Sequence, residues 1–173
     1  MTTPLLSLRI EATWNGEPLP PADWITVHLL TSDEALEIRV EAPLYNDPAP
    51  PPGPPGPTDG LWEHEVVEVF VLGPGGHYTE IELAPSGHHL VLRLEGVRQP
   101  IESQLPLELA VTQDGQRWRG HARLAREHLP PMPWRVNATA IHGSGARRTY
   151  LSWATLPGAA PDFHQLEAFR SVR

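Results

Sequence analysis

The residues of this chain most suited to chemistry are glutamates set inside segments that otherwise have the composition of β-strands. One segment runs Val66-Val67-Glu68-Val69-Phe70-Val71-Leu72, and a second runs Tyr78-Thr79-Glu80-Ile81-Glu82-Leu83. A strand alternates faces at every residue, so Glu68 shares its face with Val66 and Phe70. In the second segment Tyr78, Glu80 and Glu82 share one face, while Thr79, Ile81 and Leu83 share the other. An unpaired charge taken out of water is strongly unfavourable. Acids in these positions call for a polar ligand or an arginine partner.

The turn Ala84-Pro85-Ser86-Gly87 predicts a hairpin with Leu83 opposite His88. His89 then lies across from Glu82, Val91 across from Glu80, and Arg93 across from Tyr78. One face of this hairpin carries Tyr78, Glu80, Glu82, His89 and Arg93. The other carries Thr79, Ile81, Leu83, Leu90, Leu92 and Leu94 and reads as core. A slip of one residue would reverse the assignment for the returning strand. The polar face suits either the solvated side of a half-buried sheet or an enclosed slot. Glu68, on a strand that is apolar on both sides, favours the slot.

Six tryptophans add to this picture. Trp24 and Trp118 read as core. Trp134 opens a strand after a run of prolines, and Trp62 and Trp153 stand at strand edges. Trp62 sits six residues before Glu68, at the mouth of the same strand. Mixed donors and acceptors beside an aromatic ring are what sugar recognition requires, because hydroxyls need both and a pyranose packs its apolar face on a ring.

These residues must be positioned by strands, because almost nothing else is predicted. Further strands are expected at Leu5–Ala12, Ile25–Leu30, Ala35–Ala42, Leu107–Gln113, Arg117–Leu124, Trp134–His142 and Arg148–Trp153, with Glu167–Val172 closing the sheet. Asp114-Gly115 marks a hairpin turn. Leu124–Leu129 is expected to hold one short helical turn. Residues 45–60 contain so many prolines that they can form neither a helix nor a central strand, and read as a semi-rigid surface loop. About ten strands with almost no helix define an all-β fold, an antiparallel β-sandwich of immunoglobulin-like or jelly-roll type. With 173 residues and no repeat, residues 1–173 read as a single domain.

Composition narrows the chemistry. The formal net charge of −8 argues against nucleic acid or an anionic membrane as partner. Cysteine is absent, which excludes disulfides and thiolate sites, and lysine is absent, which excludes Schiff-base catalysis. No apolar run approaches the ~20 residues of a membrane span. The N-terminus has no signal-peptide pattern, so a cytoplasmic location is expected by default. Of the nine histidines, His64, His77, His88 and His89 invite a metal site, but their spacing fits none, and no metal is expected.

Several short motifs, taken in order, resemble the family 9 carbohydrate-binding modules and the wider DOMON-like superfamily. They are Leu61-Trp62 with Val67-Glu68-Val69-Phe70, then Tyr78 to Leu83 with Pro85-Ser86-Gly87, then Trp134-Arg135-Val136-Asn137, Tyr150-Leu151-Ser152-Trp153, and Pro161-Asp162-Phe163-His164 with Phe169. The resemblance implies a β-sandwich with a polar slot that binds sugars in some members and haem in others. It implies Trp62 as a stacking ring, Glu68 as an acceptor for ligand hydroxyls, and Glu80 or Glu82 as further lining. It also implies that Arg135 and Asn137 add polar groups from a neighbouring strand.

The expected function is therefore non-catalytic binding of a carbohydrate or similar polyhydroxylated small molecule. A haem-binding domain is the alternative, as is a scaffold that has lost its ligand. No cofactor is expected apart from that haem. Methionine is scarce, and no axial-ligand pair stands out among the histidines. No nucleophile elbow, phosphate loop or zinc-ligand spacing points to an enzyme.

Overall fold

A computed structural model describes residues 1–172 of the chain. Among the described residues twelve strands form two antiparallel sheets. The first sheet contains β1 (Thr3–Ile10), β2 (Ile25–Thr31), β3 (Ala35–Pro43), β8 (Glu108–Asp114) and β9 (Arg117–Ala125), in the order β1-β2-β3-β9-β8. The second contains β4 (Val66–Leu72), β5 (His77–Leu83), β6 (His89–Glu95), β7 (Pro100–Glu102), β10 (Arg135–His142) and β11 (Thr149–Ser152), in the order β11-β10-β4-β5-β6-β7. The short β12 (Arg170–Ser171) pairs with β10. The expected sandwich is the observed one. Among the described residues the only helical elements are three-residue 3-10 turns, one of them at Arg126–His128 where a helical turn is expected. None is long and apolar enough to cross a membrane.

The two faces of the second sheet do different work. Val67, Val69 and Val71 of β4, with Ile81, Leu83, Val91, Val136 and Ala138, point toward the first sheet. There they meet Leu8, Val27, Ile38, Val40, Trp118 and Leu124 in the main core. The opposite face is also covered. Val66, Phe70, Leu72, Tyr78, Leu90 and Leu94 pack with Leu61, Leu156, Phe163 and Phe169, forming a second apolar cluster. The chain after β11 therefore folds back over the outside of the sheet. That covering explains why every residue of β4 is buried, on both faces.

The proline-rich stretch is a largely exposed excursion, as expected, tied down at several points, among them Asp47, whose carbonyl accepts from the Gly143 N–H, and its end, which meets β6. The His89 N–H donates to the Gly56 carbonyl at 3.0 Å, and the Thr58 N–H donates to the His89 carbonyl at 2.9 Å. The loop thereby docks against the start of β6 and leads directly into the turn that carries Trp62.

Ile81 is fully buried in the main core, between Val69 and Val91. Ile81→Ala is expected to lower unfolding free energy by about 2–5 kcal/mol in urea denaturation. The equivalent change at exposed Ile101 should stay within about 0.5 kcal/mol.

Candidate functional site

Strand register determines which acids meet. In the β4–β5 pair Glu68 lies directly opposite Glu82, and Phe70 lies opposite Glu80. On the other side of β4, Thr139 lies opposite Glu68. Thr139, Glu68 and Glu82 thus form one row across the sheet, with Glu80 on the diagonal. All of them point to the outer face that the C-terminal segment covers. Glu68 is 2% exposed, Glu80 4% and Glu82 0%. The three offer carboxylate oxygens that all lie within 4.8 Å of one another.

Like charges facing each other across strands repel, and burial strengthens the effect. Removal from water raises the affinity of Glu68 for a proton, against the Thr139 hydroxyl donating to it at 2.6 Å and the more distant charge of Arg148. Burial and then the Glu68 charge raise Glu80, with a shared hydrogen bond to Glu82 and the charge of Arg98 opposing. Burial, then Glu68, then Glu80 raise Glu82. As a carboxylate, Glu82 finds no donor for either oxygen. Among the described residues no guanidinium comes within 4.0 Å of any of the three acids, and the nearest cationic type is His164, whose Nε2 is 3.9 Å from Glu80.

Above these acids is a cavity of about 290 Å³. Glu68 and Glu80 line its floor, and Leu92, Leu94 and Ile141 continue the sheet surface around them. Tyr150, Pro161, Phe163 and His164 line it from elsewhere in the fold, together with Arg98 from the β6–β7 connection and Pro100 at the start of β7. Trp62 stands at the rim, 46% exposed. Arg148 fixes that turn by donating to the carbonyls of Trp62 and Glu63, the latter at 3.0 Å. Its guanidinium also lies 5.7 Å from the centre of the Tyr150 ring.

A second polar chain closes the other side. The backbone N–H of Arg98 donates to the Tyr78 hydroxyl at 3.1 Å, and that hydroxyl is hydrogen-bonded to His164 Nδ1 at 2.7 Å. The other ring nitrogen of His164, Nε2, faces Glu80. Burial, followed by the charge of Arg98, lowers the His164 pKa to about 4, with Asp162 opposing, so the ring is neutral at physiological pH. The Arg98 guanidinium holds Asp162 at 2.7 Å.

The residues expected from the sequence divide clearly. Trp62, Glu68 and Glu80 line the cavity, with Glu82 beneath and Tyr78 bracing His164. His89 and Arg93 do not join them. The hairpin pairs Leu83 with His89 and Thr79 with Arg93, one residue away from the expected register. The reason lies in the turn. Ala84 and His88 are themselves paired by an N–H to carbonyl bond of 2.9 Å, so only Pro85, Ser86 and Gly87 form the loop. Gly87 takes φ +87°, a left-handed value that favours glycine and suits a three-residue hairpin loop. The slip sends His89 and Arg93 to the opposite face, where Arg93 pairs with Glu102 at 2.5 Å. Leu90 and Leu92 take the places opposite Glu82 and Glu80, and Leu94 the place opposite Tyr78.

Arg135 and Asn137 share the outer face but hold backbone. Arg135 donates to the carbonyls of Phe169 and Glu167, at 3.0 and 2.6 Å. Asn137 is fully buried, donating to Ser152 Oγ at 3.0 Å and accepting from the Ala154 N–H at 3.0 Å. Both tie down the segment that roofs the sheet. Sequence reading missed Arg98, Arg148, Tyr150, Phe163 and His164 as site residues, although the last three sit in motifs that carried the family resemblance. It also looked for metal ligands among histidines, whereas the cluster able to hold an ion is made of glutamates.

Relatives of known sequence place the chain in a family. It is 39% identical to the mouse UPF0462 protein C4orf33 homolog over 173 residues, 95% of this chain and 90% of the relative. It is 39% identical to the zebrafish homolog and 37% identical to the human protein, covering 87% of each. The chain belongs to the UPF0462 family. No family profile matches it. In structure it resembles a candidate carbohydrate-binding protein of Bacteroides uniformis, with a TM-score of 0.73 at 13% identity, over 96% of this chain and 85% of that one. The two share the fold. A family 9 carbohydrate-binding module of Caldicellulosiruptor kristjanssonii, solved with cellotriose, matches 75% of this chain and 65% of its own at a TM-score of 0.45 and 15% identity, and carries no weight here.

The acid cluster gives stability a distinctive pH dependence. Glutamates whose native pKa is raised above the ordinary 4.5 keep protons that the unfolded chain releases. Their contribution is present in full below that value and is lost as pH rises through the raised native values. In chelator-treated protein the thermal midpoint should therefore fall as pH rises from about 5 into the neutral range and above. Glu82→Gln should flatten that fall, as measured by calorimetry across pH.

Proposed function

We propose that the protein is a non-catalytic binding module for a carbohydrate or similar polyhydroxylated small molecule, held in the cavity beside Trp62. The observation that carries this reading is the pairing of a half-exposed indole at the rim with carboxyl groups of Glu68 and Glu80 on the floor of the same 290 Å³ cavity. A buried polar floor under an aromatic rim suits a ligand with hydroxyls on its edges and an apolar face. The volume is near the lower limit for small-molecule sites, which suits one sugar ring or the end of a chain better than a long glycan. The His164 ring and the Arg98 guanidinium offer donors, and the carboxyl oxygens are acceptors. The apolar contribution of Phe163, Leu92 and Ile141 keeps water from competing.

A binding role suits the geometry better than hydrolysis. Glycosidases place two carboxyl groups on either side of the bond to be cleaved. Here Glu68 and Glu80 rise from adjacent strands of one sheet face and meet below the cavity. The shared fold with the B. uniformis protein supports the architecture only.

Isothermal titration against a panel of monosaccharides and short oligosaccharides tests this reading. Binding is expected for at least one of them, weakened about tenfold or more by Trp62→Ala, as for loss of an aromatic anchor. Arg93→Ala should bind like the unmodified protein, because Arg93 lies on the opposite face. Absence of binding across the panel, or equal binding by the Trp62 variant, would contradict the reading. A Soret band after haemin titration would move the protein to the haem-binding alternative.

A further inference from the structure

Three glutamates crowd together on one sheet face with too few donors to satisfy them. Their oxygens lie within 4.8 Å of one another, and all three are almost completely buried. The Thr139 hydroxyl serves one oxygen of Glu68. Glu82 is 0% exposed, directed into the cluster, and neither of its oxygens has a hydrogen-bond partner beyond the acids themselves. An ion pair would be the ordinary remedy. Yet Arg148 is engaged by the carbonyls of Trp62, Glu63 and Gly143, and Arg98 by Asp162. Among the described residues neither guanidinium comes within 4.0 Å of the acids. Both cations that could neutralise the cluster are thus committed to shaping the cavity.

We infer that Glu68, Glu80 and Glu82 form a divalent-cation site in the floor of the cavity, with Ca²⁺ as the best-suited ion. The donor set is all oxygen, which selects hard cations. Three convergent carboxylates suit Ca²⁺, which accepts several of them at flexible geometry, better than Mg²⁺, which keeps most of its water. Glu82 supplies the ion from beneath, while Glu68 and Glu80 hold it at the cavity surface. The coordination positions left over face the cavity, where water or two neighbouring hydroxyls of a bound polyol complete the shell. This last step rests on the carbohydrate reading; the cation site itself does not.

The test begins without any sugar. Purified full-length protein is stripped with chelator and titrated with CaCl₂, MgCl₂ and MnCl₂ by calorimetry and thermal scanning. Saturating Ca²⁺ is expected to raise the thermal midpoint by about 5 °C or more. Glu82→Gln and, separately, Glu80→Gln should lose at least about tenfold in Ca²⁺ affinity while keeping the circular dichroism of the native fold. If none of the three salts shifts the midpoint, or if both variants respond as the unmodified protein does, the site is overturned and the cluster is a set of acids sharing protons. Saccharide titrations with Ca²⁺ and with chelator then separate the two readings. Ca²⁺ binding with no saccharide binding keeps the cation site and removes the sugar. Saccharide binding that is equal in Ca²⁺ and chelator keeps the sugar and removes the ion from its recognition.

Discussion

The pairing of Glu68 with Glu82 across β4 and β5 is the constraint on which the rest of the site depends. Cross-strand partners on one face of an antiparallel pair are held within contact distance whatever their chemistry. Two acids in that relation, with Glu80 on the diagonal, repel each other. On an exposed sheet, water would screen them. Here the segment after β11 returns over the same face and brings Phe163 and Phe169 down beside them. The fold thereby encloses a cluster of acids that the sheet alone would have left solvated. Everything distinctive about the cavity follows from that enclosure: the raised proton affinities, the unpartnered oxygens of Glu82, and the arginines arranged around the acids rather than against them.

The roof is held by specific bonds rather than by apolar contact alone. Arg135 fixes the carbonyls of Glu167 and Phe169, and Asn137 joins Ser152 to the start of the returning segment. At the rim Arg148 holds the turn that presents Trp62. Such bonds, from arginines to backbone carbonyls and from an amide to a hydroxyl and a backbone N–H, set position without neutralising the acids. A preformed cavity with rigid walls loses little entropy when a ligand enters, which is the advantage of building it on a sheet.

Much of this was legible in the sequence. The alternation at Ala35–Ala42 and the hydrophobic run at Val66–Leu72 give strands whose observed ends, at Ala35–Pro43 and Val66–Leu72, fall within a residue of those expected. Glu68, Glu80 and Glu82 stood out because acids in a buried strand conflict with the rest of its pattern. The returning half of the β5–β6 hairpin was misread because loop length decides register, and Pro85-Ser86-Gly87 can be counted into a loop of three or four residues. Periodicity cannot choose between them, since Leu90, Leu92 and Leu94 are as acceptable beside the acids as behind them. The C-terminal roof was not legible either. Phe163 and His164 lie in a segment without regular structure, and long-range contacts such as Tyr78 with His164 and Arg98 with Asp162 bring it to the site.

The central claim, that three inward-facing glutamates share one enclosed hollow beneath an indole, is tested most directly by carboxyl-resolved ¹³C NMR. Protein labelled at the glutamate side chains, kept in chelator, is titrated across pH. Three resonances are predicted to titrate well above the ordinary value of 4.5, to shift one another, and to vanish one at a time in the Glu68→Gln, Glu80→Gln and Glu82→Gln variants. Glutamates that all titrate independently near 4.5 would contradict the account, because acids that behave so are open to solvent and apart.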